Sequence, residues 1–354
     1  MIAALLFILF CLADWMLLSA LPAFRLSFAP AMEFPLAVSL MIRSLGLAGL
    51  SGALLLARNR PDGGMHRPAL KLFPSTVTLF LALNVGFSLA QIDAYVVEPL
   101  WVETTELSLA SDDLDPVSPP VRVVHLTDTH IEQFSFREAA TIRQVNALRP
   151  DIVVLTGDFL NISYLDDPVA AEGFRRFVAQ LQAPHGIYAV RGSVEPNPEF
   201  MAQLLEGTRV VWLEQEAITV NVRGQQVTLV GVACSHQHDL DSAWLRRTLD
   251  GVPTGDFTLL LYHSPDLIAE AAGHGVDLYL AGHTHGGQLR LPFFGAIVTF
   301  SRYGLRYASG LFQEGATTMY ISRGLGFEGG GMPRARFLCR PEIVSIELYG
   351  RPWP

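Results

Sequence analysis

Half of this 354-residue chain is hydrophobic, yet its formal net charge is -9 and it offers no basic stripe, which excludes a general nucleic-acid binder. The cysteines Cys11, Cys234 and Cys339 show no paired metal spacing, and Cys11 lies inside an apolar run, so no disulfide framework is implied. The length allows one large domain plus further segments, and the apolar excess is concentrated in residues 1–95.

Three apolar runs, Ile2 to about Ala23, about Pro35 to Ala57 and Leu72 to about Ala90, each approach the roughly 20 residues that a spanning helix needs. Residues 1–95 therefore read as a membrane region with about three transmembrane helices. The first run lacks the Lys/Arg start of a secretory signal and further spans follow it, so it reads as an anchor. Arg58, Arg60, Arg67 and Lys71 lie between the second and third runs, whereas Leu72 to Val121 contains no Lys or Arg. By the positive-inside rule that loop is cytoplasmic and the C-terminal domain extracytoplasmic, with Tyr95 and Trp101 as an aromatic belt at the exit. Asp14 and Arg43 fall inside the spans, where each alone would cost about 2.5–3.5 kcal/mol. A structural ion pair between them is expected, and Gly46, Gly49 and Gly52 offer small surfaces for close helix contact.

Residues 96–120 read as a linker, acidic and Pro-rich from Ser108 to Pro120, and the soluble domain is expected over 121–349. It begins with a buried strand at Val121 to Thr127, a helix at Phe136 to Leu148 and a strand at Asp151 to Thr156. A helix with Ala170, Phe174, Phe177, Val178 and Leu181 on one face follows, then a strand at Gly186 to Val190. Strands alternating with helices imply an α/β sheet with its site at the carboxyl ends of the strands. At such ends lie Asp128 and His130, Asp158, His263, and the turn Gly282-His283-Thr284-His285-Gly286-Gly287-Gln288. Each alone has an ordinary explanation: an Asx turn at Asp128, a helix cap at Asp158, a hydrogen-bonded core imidazole at His263. Successive strand ends bearing Asp and His, with His-x-His last, point instead to a metal site. Imidazole and carboxylate donors without thiolate suit Mn, Fe, Zn or Co and leave the metal open. Two such ions roughly 3.5–4 Å apart can clamp a phosphoryl oxygen and generate hydroxide near neutral pH.

The order D-x-H, G-D, a lone His and G-H-x-H resembles the calcineurin-like metallophosphoesterases, and the chain looks most like their membrane-anchored bacterial branch. The resemblance covers Val121 to Leu348 and extends to Glu98-Pro99-Leu100, Ser301-Arg302-Tyr303-Gly304, Ser322 to Gly326, Arg336-Phe337 and Pro341-Glu342-Ile343. It implies a four-layer α/β/β/α sandwich with two divalent metal ions between the sheets, in a multi-pass protein of a bacterial inner membrane. Asp128, His130, Asp158 and His285 would hold one ion; Asp158, His263 and His283 would hold the other, making Asp158 the bridge at the catalytic centre. The implied activity is hydrolysis of a phosphodiester, pyrophosphate or phosphomonoester of a small molecule or lipid by metal-activated hydroxide, with no protein partner.

The family's third motif, G-N-H-[DE], reads Gly192-Ser193-Val194-Glu195 here. Ser193 replaces the Asn that ligates the second ion, and its hydroxyl is shorter and a poorer cation ligand, so a weaker second site is expected unless water, Asn197 or another side chain reaches in. Val194 replaces the His that protonates the leaving group, and Glu195 loses the partner it orients. These losses motivate an alternative, a degenerate domain that binds a phospho-ligand or partner without turnover. The segment Cys234-Ser235-His236-Gln237-His238-Asp239 reads as a polar surface loop, with a replacement acid or ligand as its functional alternative. Arg302, Arg323 and Arg336 are the candidates for meeting a substrate phosphate.

Overall fold

A computed structural model describes residues 2–21, 33–58, 67–327 and 333–351. The chain divides into two compact units, Met1–Val97 and Glu98–Pro354.

The first unit holds helices α1 (Ile2–Ala20), α2 (Glu33–Arg58) and α3 (Arg67–Ile92), the last continuing through a π turn at Asp93–Val97. Its polarity is inverted relative to a soluble bundle. Leu9, Met16, Leu45 and Leu83 face outward, while Asp14, Ser39, Arg43, Asn84 and Gln91 are buried. The buried polar groups find their partners inside the bundle. Arg43 grips Asp14 through two bonds of 2.6 Å, reaches Asn84 Oδ1 and Ser88 Oγ at 2.8 Å each, and meets Gln91 Oε1 at 3.3 Å. Gln91 in turn donates to Ser39, so one guanidinium ties all three helices together and the expected structural pair is present.

Among the described residues, one helical stretch, Val77–Leu100, is long and apolar enough to cross a membrane; the apolar parts of the other two helices, Leu5–Ala20 and Leu36–Gly52, are shorter. Helix α3 contains the expected run Leu72 to Ala90. Arg60 and the end of the expected first span lie outside the described residues.

In the second unit the strand-helix alternation builds two six-stranded sheets. The first is ordered β1 (Glu103–Ser111), β14 (Glu342–Gly350), β2 (Val121–Leu126), β3 (Ile152–Leu155), β4 (Ile187–Ala189), β5 (Val210–Trp212). The second is ordered β12 (Gly310–Glu314), β13 (Thr317–Ile321), β9 (Leu278–Ala281), β8 (Phe257–Leu261), β7 (Gln225–Gly231), β6 (Glu216–Val222). A short hairpin, β10 (Arg290–Leu291) and β11 (Gly295–Ala296), stands apart from both.

The period of two in each strand sorts side chains between layers. Val121, Val123, Ile152 and Val154 join Leu259, Leu261, Leu278 and Leu280 in the core between the sheets. Their neighbours Val124, Leu126, Val153 and Leu155 pack outward under α4 (Phe136–Leu148), α5 (Pro168–Gln180) and α6 (Pro198–Leu205). Leu260, Tyr279 and Ala281 pack outward under α7 (His238–Leu249) and α8 (Ile268–Gly273). The result is the expected four-layer α/β/β/α sandwich. Local signals agree with it: Ser135 and Glu138 close a capping box at the start of α4, and Pro168 follows the N-cap Asp167 of α5.

The expected linker at 96–120 needs correction. Residues 103–111 form β1, which pairs in parallel with β14 along its whole length, from Glu103↔Glu342 to Ser111↔Gly350. As an edge strand rich in Glu, Thr and Ser it lacks the apolar run by which buried strands are recognised. The acidic stretch after it is also fixed. Asp115 closes a turn on Ser118, its backbone exchanges two bonds of 2.9 Å with the Gln225 amide, and Leu114 is buried in the core between the sheets.

Replacing Arg43 by Met is expected to leave Asp14 buried without its cation and to destabilise the first unit by about 3–5 kcal/mol. Detergent titration of the full chain should show this as early unfolding, with Asp14→Asn in the same molecule recovering part of the loss.

Candidate metal centre

Both sheets end at the same place. β2 and β3 deliver Asp128, His130 and Asp158 from the first sheet; β8 and β9 deliver His263, His283 and His285 from the second. All lie in the turns just past the strands, and five of them have positive φ: Asp128 48°, His130 39°, Asp158 54°, His283 68° and His285 50°. A non-glycine residue seldom adopts this conformation, and such strain persists only where surrounding structure enforces it. Here the enforcement is a set of backbone bonds between turns: Asp128 N to Gly157 O (3.0 Å), His130 N to Asp158 O (3.0 Å) and Gly282 N to His263 O (2.7 Å). Two glycines allow the turns to touch. A Cβ on Gly282 would lie 2.2 Å from Asp128 Oδ2, and one on Gly192 2.3 Å from Asp158 N.

The side chains converge as two groups, Asp128 with His130 and His285, and Asp158 with His263 and His283, each with ligand atoms within 4.8 Å of one another. His130 Nε2 and His285 Nε2 approach to 3.1 Å. Asp158 Oδ2 lies 3.1 Å from His263 Nε2 and 3.8 Å from His130 Nε2, so it faces both groups. His263 Nδ1 is 2.7 Å from Thr156 O and donates to it, which aims Nε2 at the cluster, the usual outer arrangement of a metal-bound imidazole. That buried Nε2 finds no aligned hydrogen-bond partner. Imidazole nitrogens and carboxylate oxygens converging on common points fit divalent cations.

Electrostatics agree. Burial pushes His130 and His283 down to about 4 and His285 further, so these imidazoles are neutral with lone pairs to offer. Burial also pushes Asp128 up to about 6. Burial opposes charge on both Asp158 and His263, but their mutual attraction prevails: Asp158 is held well below the usual carboxylate range and His263 well above the usual imidazole range.

The altered third motif surrounds Asp158 with donors. Ser193 N (2.6 Å) and Val194 N (3.0 Å) donate to its Oδ1, and Ser193 Oγ lies 3.0 Å from Oδ2. Asn197 does not reach in; it caps α6, accepting from Phe200 N at 2.8 Å. Glu195, far from idle without its usual partner, is a buried clamp: its carboxylate accepts from Phe159 N (2.7 Å), Gly192 N (2.8 Å) and Asp158 N (3.1 Å), joining the two turns. Burial and the nearby Asp158 push it up to about 7.

Two arginine expectations need correction. Arg336 is fully buried and spends its guanidinium on the carbonyls of Arg323, Gly324, Gly326 and Cys339, bracing the loop that packs behind Asp128 and His130. Arg323 is held by Glu103 and Glu342, at 2.9 and 3.0 Å. Arg302 is exposed, with its guanidinium over the Tyr303 ring. The loop after β7 comes closer than a plain surface loop would: exposed His236 donates from Nε2 to Ser193 O at 3.2 Å, and its ring lies 6.1 Å from that of His283. The Glu195 clamp and the Arg336 brace escaped sequence reasoning, because a buried charge bonded to main chain has no spacing signature.

Fold and site together define a metal-dependent hydrolase with its centre between two sheets. The calcineurin-like phosphoesterase family matches residues 121–287. The metallophosphoesterase YkuE of Bacillus subtilis is 30% identical over 270 residues, 72% of this chain and 88% of its own length. The chain therefore belongs to the calcineurin-like phosphoesterases, a family of hydrolases that use divalent metals. It is also similar to the phosphodiesterase YaeI of Escherichia coli, 27% identical over 71% of this chain and 90% of that one. The UDP-2,3-diacylglucosamine pyrophosphatase LpxG of Chlamydia trachomatis is 26% identical over 66% of this chain and 84% of that one.

Two outcomes are expected. Glu195→Gln puts an amide donor against backbone N–H groups; it should cost about 1–3 kcal/mol of domain stability and weaken metal binding roughly 10-fold or more, as read by thermal unfolding and metal titration. Metal uptake by the stripped protein must displace protons from His263, whose affinity for them is raised, and from Asp128, which titrates at about 6. Affinity should therefore rise with pH, more steeply below about 6, where both groups release protons, and more gently above it, where His263 alone does, with proton release visible as a binding heat that varies with the ionisation enthalpy of the buffer.

Proposed function

We propose that the chain is a membrane-anchored, metal-dependent phosphoesterase that hydrolyses a phosphodiester, pyrophosphate or phosphomonoester of a small molecule or lipid. The observation that carries this reading is the pair of adjacent ligand groups facing one carboxylate, Asp158. Asp128, His130 and His285 would hold one ion and His263 and His283 the other, with Asp158 placed to serve both. When bound, the ions supply the positive charge that polarises a phosphoryl group and lowers the pKa of the attacking water. The donor set suits Mn, Fe, Zn or Co alike. Ser193, spent on Asp158, makes the second ion the weaker one. The relatives named for phosphodiester and pyrophosphate substrates support the same range of bonds here.

Val194 cannot protonate a leaving group, and His236, which reaches the carbonyl of the adjacent Ser193, is the imidazole assigned to that vacated role. His236→Asn should slow substrates with poor leaving groups by about 10²-fold while sparing 4-nitrophenyl esters. In the membrane region α1, α2 and α3 each cross the bilayer around the Arg43 network, leaving the catalytic unit outside the cytoplasm of a bacterial cell. A C-terminal reporter active only outside the cytoplasm should be active; a silent one reverses the orientation.

A second reading, a domain that binds without turnover, is motivated by Ser193 and Val194. Hydrolysis of bis(4-nitrophenyl) phosphate with added Mn decides between the two. Activity should be abolished by chelation and fall at least about 10²-fold in Asp158→Asn; equal rates in parent and variant leave only the binding reading.

A further inference from the structure

Directly after the His-x-His turn the chain exposes an uncharged apolar segment. The β10–β11 hairpin presents Phe293 and Phe294 at its tip, 106% and 84% exposed, and Leu291, Ile297, Val298 and Phe300 are exposed beside them. From Leu291 to Phe300 there is no charged residue. Scattered exposed hydrophobes are ordinary on a soluble surface, but a continuous run led by aromatic rings marks a surface that is covered in use.

Charge indicates what covers it. Between Thr284 and Gln313 the charged residues are Arg290, Arg302 and Arg306, with no Asp or Glu, in a chain whose net charge is -9. Arg306 lies 3.4 Å from Glu314 at the far edge, whereas the Arg302 guanidinium lies over the Tyr303 ring while its backbone N–H donates to Asp266. An aromatic tip with the exposed Arg302 nearby in the chain matches the interfacial layer of a bilayer with anionic headgroups, rings at the acyl boundary and a guanidinium among the phosphates. The same chain carries Val77–Leu100, apolar and long enough to cross a membrane, so such a surface is within reach of the tethered unit.

The hairpin is also locked to the metal centre. Gly287, two residues past His285, packs so tightly on β11 that a Cβ there would lie 2.5 Å from Ala296 Cβ. Arg290 N donates to Phe337 O at 2.9 Å, and the Phe300 ring lies 6.5 Å from that of His283. Whatever surface takes up the hairpin is therefore held beside His283.

We propose that the β10–β11 hairpin and the adjoining Ile297 to Phe300 segment insert into the surface of an anionic bilayer, so that the metal centre takes a phosphorylated lipid directly from the membrane. The substrate part rests on the phosphoesterase reading; insertion does not.

The test uses the full chain in nanodiscs, of phosphatidylcholine alone or mixed with phosphatidylglycerol, with brominated acyl chains. In Phe293→Trp, the emission added over the parent should be blue-shifted and quenched by bromine, more so with phosphatidylglycerol. Emission typical of a solvent-exposed indole, unquenched in both discs, overturns the proposal. A blue shift without quenching overturns it too, because protein, such as a second copy of the chain, then covers the tip. The double variant Phe293→Ser, Phe294→Ser should raise KM for dioleoylphosphatidyl-4-nitrophenol in the discs by roughly tenfold or more. Its rate on soluble bis(4-nitrophenyl) phosphate should be unchanged. Equal losses on both substrates, or no change on either, overturn delivery from the membrane. If the parent hydrolyses neither substrate, the phosphoesterase reading fails, and the fluorescence still decides insertion.

Discussion

The second unit is organised around one electrostatic problem, two carboxylates buried at the seam between its sheets. Asp128 and Asp158 come from the first sheet and are fully removed from water. The group that answers their charge, a protonated His263, comes from the second sheet together with the neutral His283 and His285. Isolated buried carboxylates are too costly to keep ionised, so neither sheet could carry its half of the site alone. Without metal the attraction between Asp158 and a protonated His263 holds the halves together. Divalent cations take over that work when they displace the proton.

A second tier of buried charge keeps the first in place. Glu195 staples the turn carrying Asp158 to the turn carrying Ser193, and Arg336 collects the carbonyls of the loop behind Asp128 and His130. Glu98, at the start of the unit, accepts from the backbone of Leu338 and Cys339, next to that brace. All three spend charged side chains on main-chain groups, which suits a site whose ligands sit in strained backbone. The strain at Asp128, His130, Asp158, His283 and His285 is sustained by hydrogen bonds that only this packing supplies.

What the sequence disclosed and what it hid follow from the same physics. Buried parallel strands such as Val121–Leu126 and Ile152–Leu155 are continuous apolar runs, and the ligands stand just past them, so an α/β sheet with its site at the strand ends was legible, while the four layers and the site between two sheets followed only from the resemblance. β1 was not, because an edge strand of Glu, Thr and Ser resembles a linker. Arg336 and Arg323 read as phosphate binders because the sequence shows a charge but not its partners. Asn197, weighed as a spare ligand, is a helix cap, the commonest use of Asn before Pro at a helix start. His236 was legible only as part of a polar loop; its contact with Ser193 depends on how the turn after β7 meets the one after β4.

The two replacements in the third motif have unequal consequences, and the geometry shows why. Ser193 keeps the backbone path of its motif: its N–H and that of Val194 still point at Asp158, so the bridging carboxylate is oriented as firmly as the turn allows. Its hydroxyl then adds a donor to the same carboxylate. Each donor aimed at Asp158 lowers the basicity of its oxygens and hence their strength as cation ligands. On the proposed reading the serine would weaken the second ion twice, by offering it no amide carbonyl and by drawing on the carboxylate that serves it. Val194 affects only the leaving group, on the open side where His236 stands. On the proposed reading, loss at position 193 acts on cation affinity and loss at 194 on proton supply, so the two substitutions leave the framework of the site intact while shifting the demand onto metal concentration and onto the His236 imidazole proposed above.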